Sequence, residues 1–161
     1  MLEKVYRLTD SEVMEITQDA RLVAIRWDVL PWSIVLDIDT PVSEQEHAEM
    51  RRTWICFSGI DSLTWNFENT RLPTGCWLNS TIGVTPLSNE FTEYCFSALT
   101  AQFCEDGSLK DNSLTDVIIQ SRRIAGVSSI ESAYPEQYGL SWDQRTALAS
   151  DEDFISILGK D

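Results

Sequence analysis

Ile34-Val35-Leu36-Asp37-Ile38-Asp39 is the stretch of sequence that decides the fold. Aliphatic side chains occupy every second position, and the positions between them begin apolar and end with two carboxylates. A period of two residues is typical of a β-strand, because successive side chains point to opposite faces of a sheet. The stretch predicts a strand with one buried face and a second face that becomes wetter towards Asp39.

The segments on both sides of this stretch also have strand character. Residues 21–27 predict a strand, and Pro31 marks a break after it. We therefore predict that this strand forms a hairpin with the strand that contains residues 34–39. Residues 52–60 predict a further strand, in which Gly59 marks either the end or a bulge, and the alternation over 63–67 predicts a tight antiparallel return after Asp61-Ser62.

The rest of the chain adds more short strands and a few helical signals. Strands are predicted at residues 76–84, 91–103 and 117–124, with polar turns between them. Helical signals lie near the two ends of the chain: a capping box at Thr9 to Glu12, a cap at Ser141 for a helix through 149, and acids at 151–153 that would stabilise a helix N-terminus. For the first segment a strand is the alternative, since Val13 and Ile16 are β-branched.

These patterns predict one domain over residues 1–161 that is mainly β, with an α+β arrangement as the alternative. A length of 161 residues is within the usual range for a single core. Many short strands at close spacing favour an antiparallel sheet or a sandwich, with short helices near the termini.

The charge balance limits the kinds of partner more than any motif does. The chain carries 26 acidic and 12 basic residues, a formal net charge of −14. Such an excess repels a phosphate backbone, so we predict no nucleic-acid ligand, whereas it attracts a basic protein by long-range steering. The alternative is that the acidity only maintains solubility.

The location of the protein and the redox state of its cysteines are predicted from sequence motifs that are absent. No apolar run approaches the length needed to cross a bilayer, and the first ten residues are charged, unlike a secretory signal. We therefore predict a cytoplasmic protein without membrane contact. The four cysteines match neither a CxxC motif nor a zinc knuckle, which predicts reduced structural thiols.

Signatures of enzyme chemistry are weak. The single histidine, His47, lies in a polar loop with Glu44 and Glu46, and flexible carboxylates around one imidazole do not form a closed zinc site. No phosphate-binding, dinucleotide-binding or hydrolase motif is present. We predict no catalytic residues, no metal, no cofactor and no enzymatic activity. The alternative is a small hydrolase that uses Asp37 and Asp39, about 7 Å apart along one strand face.

Tryptophan is unusually frequent, with six residues. Trp27, Trp32, Trp54 and Trp65 fall in strand segments, where they either fill the core or anchor an interface. An exposed subset with carboxylates around it would suit a basic, partly apolar protein. We therefore predict a partner-binding set that combines acids and tryptophans: Asp37, Asp39, Glu44, Glu46, Trp32 and Trp65.

Residues 19–27, the LDID strand at 36–39 and the FSGI segment at 57–60 together resemble small bacterial immunity proteins of polymorphic toxin systems. In that group, acidic β-rich cytoplasmic domains bind a cognate toxin domain and block it. The resemblance covers the first half of the chain and transfers no individual binding residue.

The leading functional hypothesis is an acidic binding protein, an immunity protein that neutralises a basic toxin by direct contact. The small carboxylate hydrolase is one alternative. The other is a homodimeric structural or assembly subunit that pairs its own exposed edge strand.

Overall fold

The computed structural model describes residues 4–27, 29–41, 50–65, 75–87, 90–130 and 151–158. The described part of the chain is mostly β, with 66% of its residues in strands, and its sheet is antiparallel. Short helices lie near the two ends of the described residues. The predicted fold class is confirmed. The predicted helix over 141–149 lies outside the described residues.

The elements follow one another as β1 (Val5–Arg7), α1 (Asp10–Glu15), β2 (Ala20–Arg26), β3 (Ser33–Pro41), β4 (Met50–Trp65), β5 (Gly75–Leu78), β6 (Gly83–Pro86), β7 (Thr92–Phe103), β8 (Leu109–Ser129) and α2 (Asp151–Leu158). The order across the sheet is β1-β8-β4-β3-β2-β5-β7-β6. An additional pairing of β8 with β7 closes six of these strands into a barrel. A single closed sheet is therefore present instead of two stacked ones.

The opening helix begins where the capping box predicts it. The backbone N–H of Thr9 donates to the Glu12 carboxylate at 2.7 Å, and the Glu12 N–H donates to the Thr9 hydroxyl at 3.3 Å. Two N–H groups that the helix itself leaves without partners are thereby satisfied. Val13 of this helix is buried in the barrel core.

The barrel interior is filled by side chains of the six barrel strands, β2, β3, β4, β5, β7 and β8. Phe57 is fully buried there, and its ring centroid lies 5.5 Å from that of Tyr94 and 6.4 Å from that of Phe96. The predicted buried face of β3 is part of this core. The other large buried members are Ile34, Leu36, Ile38, Ile55, Leu78, Ile82, Val117 and Ile119.

The tight return predicted after Asp61-Ser62 is wrong, because β4 continues as one strand to Trp65. Its register with β8 shifts between Ile60 and Ser62, which is a bulge. Gly59 has φ 65°, a conformation that suits glycine. The strand bends here and does not end, because β8 is long enough to pair with it on both sides of the bulge.

The predicted strand over 76–84 is divided into β5 and β6. Between them the Asn79 N–H donates to the carbonyl of Ser97, and the Ile82 N–H donates to the carbonyl of Met14 at 2.7 Å. The second bond joins this segment to the end of α1. After β5, which pairs with β7, the chain makes this contact with α1. It then pairs with β7 again as β6.

A second apolar cluster lies on the outside of the barrel, where α2 packs. The rings of Trp54 and Phe154 stack with centroids 4.8 Å apart, and Val35, Cys56 and Val127 surround them. The predicted wet face of β3 is therefore wrong: Ser33 to Thr40 are all buried. Local alternation could not reveal this, since the covering helix comes from the far end of the chain.

The cysteines are all free thiols. Burial raises the pKa of Cys56 and raises the pKa of Cys76 to about 11. Both thiols therefore stay protonated near neutral pH, which makes them weak nucleophiles and suits a packing role.

Truncation of Phe154 should loosen α2 from the barrel. We expect Phe154→Ala to lower the free energy of unfolding by about 3 kcal/mol or more, because it removes a fully buried ring and leaves a cavity. Urea denaturation followed by circular dichroism measures the change. Glu152→Gln, on an exposed position of the same helix, should change stability by less than about 0.5 kcal/mol. A loss below about 1 kcal/mol for Phe154→Ala would contradict the packing of α2 on this face.

Candidate functional site: the β2–β3 turn

The turn between β2 and β3 presents two tryptophans to solvent. Trp32 is 83% exposed and Trp27 is 60% exposed, the two highest values among the large apolar side chains of the described residues. Isolated exposed apolar residues are ordinary on protein surfaces. Two tryptophans on one hairpin turn form a candidate contact surface, since this residue type dominates the energetics of protein interfaces.

Trp32 is also held in an unfavourable backbone conformation. Its φ is 56°, in the left-handed region, which costs an L-residue about 1 kcal/mol. Pro31 fixes the backbone just before it, and the Trp32 carbonyl accepts a hydrogen bond from the Ile60 N–H at 3.2 Å. The backbone is thereby fixed to β4 while the indole ring points away from the core. Strain without a packing gain is a feature that functional positions show.

Asp37 does not belong to this surface. It is buried, and its Oδ1 accepts hydrogen bonds from Arg26 Nε at 3.2 Å and Nη2 at 3.0 Å. The Arg26 guanidinium lies over the Phe154 ring, 5.6 Å from the centroid. Asp37 therefore orients an arginine beneath α2, and its burial reflects the covered outer face of β3.

Asp39, two residues further along β3, is also paired with an arginine. It is fully buried and accepts a hydrogen bond from Arg52 Nε, which comes from the directly opposite position on β4. With each carboxylate buried and paired to an arginine, Asp37 and Asp39 lack the solvent access that a hydrolytic carboxylate pair needs.

Trp65 lies on the barrel and not on the turn. Its indole Nε1 donates to the Thr115 hydroxyl at 2.9 Å, and its ring packs against the interior cluster. The other predicted acids, Glu44 and Glu46, lie outside the described residues, as does His47. Of the predicted partner-binding set, the structure thus places Trp32 alone at an exposed position within the described residues.

Sequence reasoning left Trp27 out of the predicted set, although it lies on the same turn. Tryptophans at both ends of a segment containing Pro31 are a sequence signal for this pair. Alternation alone treats Trp27, Trp32, Trp54 and Trp65 alike, because each lies in or beside a strand-like run.

A groove with two glutamates lies at the opposite end of the barrel. This shallow groove of about 350 Å³ between α1, β1 and the end of β3 is lined by Glu12 and Glu15, with Tyr6 and Pro41 among its less polar walls. The length of β3 separates this groove from Trp32 by about 26 Å. The turn therefore lies away from this groove.

In comparisons with known proteins, no protein-family model, no curated protein and no solved structure matches this chain. The resemblance to immunity proteins stays a prediction. No helix in the described part of the chain is both long and apolar enough to cross a bilayer. Within the same residues, no group of three or more His, Cys, Asp or Glu side chains is arranged to hold a metal ion.

A substitution at Asp39 tests the structural role assigned to it. We expect Asp39→Asn to lower the free energy of unfolding by about 3 kcal/mol, because it leaves the guanidinium of Arg52 buried without its counter-charge. Thermal and urea unfolding measure the loss. Asp61→Asn, at an exposed position of β4, is the matched control and should be nearly neutral. A stable Asp39→Asn protein would contradict this role and return Asp39 to the candidates for binding or catalysis.

Proposed function

We propose that this chain is a protein-binding module of the immunity class, which neutralises a basic bacterial toxin domain in the cytoplasm by direct contact. The observation that carries the proposal is Trp32, an 83% exposed indole on a backbone with φ 56°. A strained and rigid position for a large apolar side chain is useful when the side chain is an anchor for a partner.

The free energy gained by burying the Trp32 side chain against a partner is large enough for an interface hot spot. Burying an aromatic side chain of about 200 Å² at about 25 cal/mol per Å² contributes about 5 kcal/mol before the costs of association. The costs of ordering are small here, because Pro31 and the bond to Ile60 already fix the turn. Trp27 enlarges the apolar area on the same turn.

Charge supports the choice of a basic partner. A net charge of −14 creates a negative field that accelerates the approach of a positively charged protein. Long-range attraction and short-range apolar contact are separate contributions: the first sets the association rate, and the second slows dissociation. The immunity class is supported by the resemblance over residues 19–60.

The decisive experiment uses Trp32→Gly. Glycine accepts φ 56° without strain, so we expect the variant to be as stable as the parent or more stable by up to about 1 kcal/mol. Co-expression with the toxin domain encoded beside its own gene should then show loss of growth protection and loss of co-purification. Stability and binding would change in different directions, which excludes misfolding as the cause.

Leu109→Ala provides the matched control for that experiment. Leu109 is 54% exposed on β8, and its truncation removes apolar surface away from the turn. We expect this variant to protect as well as the parent chain does. If Trp32→Gly also protects fully, the turn is not the contact surface and the proposal fails.

The salt dependence of association tests the role of the net charge. Between about 50 and 500 mM salt, the association rate constant with the toxin domain should fall by about tenfold or more, because screening shortens the range of the field. Stopped-flow fluorescence of the tryptophans measures this rate. The dissociation rate constant should change much less. An association rate that is flat or rises with salt would contradict electrostatic steering towards a basic partner.

A further inference from the structure

Arg122 on β8 lies beside the tryptophan turn and is held from two sides. A Cβ atom built on Gly59 would lie 3.0 Å from the Cβ, Cγ and Cδ atoms of Arg122, so the arginine stem lies directly on the glycine backbone. At its other end the guanidinium lies over the Phe91 ring, 5.3 Å from the centroid. The charged group is exposed, yet its position is fixed by packing and a cation–π contact.

This arginine has no acidic partner among the described residues. Arg26 and Arg52 are paired with Asp37 and Asp39, whereas Arg122 and its neighbour Arg123 form no ion pair in the described part of the chain. With 26 acidic residues for 12 basic ones, carboxylates are abundant in this protein. Exposed Asp61 and Glu90, close in sequence to Gly59 and Phe91, are also not paired with it.

Sheet register places Arg122 close to Trp32. Ser33 lies opposite Ser58, and Ser58 lies opposite Arg123, so two strand spacings separate the turn from this part of β8. Two spacings correspond to about 10 Å between backbones. The side chains of Trp32 and Arg122 are each long enough to contact neighbouring groups of one bound segment.

We propose that Arg122 binds a carboxylate of the protein partner, next to an apolar side chain that packs on Trp32. The inference rests on the proposed function and specifies the chemistry of the partner segment. A guanidinium offers a planar fork of donors that matches a carboxylate, and its fixed position lowers the entropy lost on binding. The segment therefore carries Asp or Glu beside an aliphatic or aromatic residue.

The net charge distinguishes this ligand from a polyanion. A chain with charge −14 repels nucleic acid and other polyphosphates at long range. A basic protein is attracted, and a single acidic residue on its surface then pairs with Arg122 at short range. Without such a positive spot, an acidic protein would bind basic surfaces with little discrimination. Arg122 fixes the register of the complex by requiring a carboxylate at one position.

Side-chain NMR of the full-length chain tests this directly. The probes are three blocked tripeptides, acetyl-Leu-X-Phe-amide, in which X is glutamate, glutamine or lysine, together with inorganic phosphate. We expect the glutamate peptide to shift the Arg122 Nε–H and Trp32 indole N–H signals and to bind about tenfold more tightly than the other two peptides. Equal affinities for the three peptides, no shift of the Arg122 signal, or tighter binding of phosphate would each overturn the inference.

Variants separate this inference from the proposed function. Arg122→Gln should remove the preference for the glutamate peptide, and Arg123→Gln, the adjacent exposed control, should retain it. Thermal unfolding verifies that both variants are folded. If all three peptides bind equally and Trp32→Gly removes their binding, the turn is a binding surface but Arg122 selects no carboxylate. If Arg122→Gln keeps the preference, the assignment of the carboxylate to Arg122 is wrong.

Discussion

The pairing of β8 with both β4 and β7 is the constraint on which the remaining structure depends. A 21-residue strand can do this because its two halves face different neighbours, with Val117 to Ser121 paired on both sides. Closure removes two sheet edges and creates an interior that Phe57 and its aromatic neighbours fill. It also fixes where the turn regions lie, since every strand end is then placed relative to the barrel axis. The proximity of Trp32 to Arg122 follows from the pairing of β3 with β4 and of β4 with β8, not from their separation in sequence.

The outer face of β3 shows how a closed barrel can still bury both sides of a strand. Its inner face contributes Ile34, Leu36 and Ile38 to the interior, and its outer face contributes Val35 to the cluster that α2 covers. Asp37 and Asp39 are tolerated there because arginines from the two neighbouring strands, Arg26 and Arg52, neutralise them. Within the described residues, Nη2 of Arg52 is buried without a hydrogen-bond partner, so this pair is only partly satisfied. Such pairs contribute little net stability but are costly to break, which makes them determinants of register between β2, β3 and β4.

Local sequence signals predicted the elements, and long-range contacts decided what the elements bury. The alternation in β3, the hairpin with β2 and the capping box at Thr9 are properties of neighbouring residues, and each was predictable. The continuation of β4 past Gly59 depends on the length of β8, and the burial of Asp39 depends on residues far away in the chain. The same limit applies to the candidate site. Trp32 and Trp65 are equivalent in a pattern of alternation, and only the tertiary structure shows that one ring is exposed and the other packs against the core.

In the proposed function, the exposed turn and the net charge act at different stages of recognition. The field of an acidic chain acts over about a Debye length and carries no information about orientation. Trp32 and Arg122 act only on contact, and together they require an apolar group and a carboxylate at a fixed spacing. Because the local charge at Arg122 is opposite to the charge of the whole chain, a partner drawn in by the field satisfies this contact only if it presents an acidic residue within a basic surface. In the proposed complex, this condition discriminates between basic proteins with and without such a carboxylate, which gives an acidic module a physical means to select its partner.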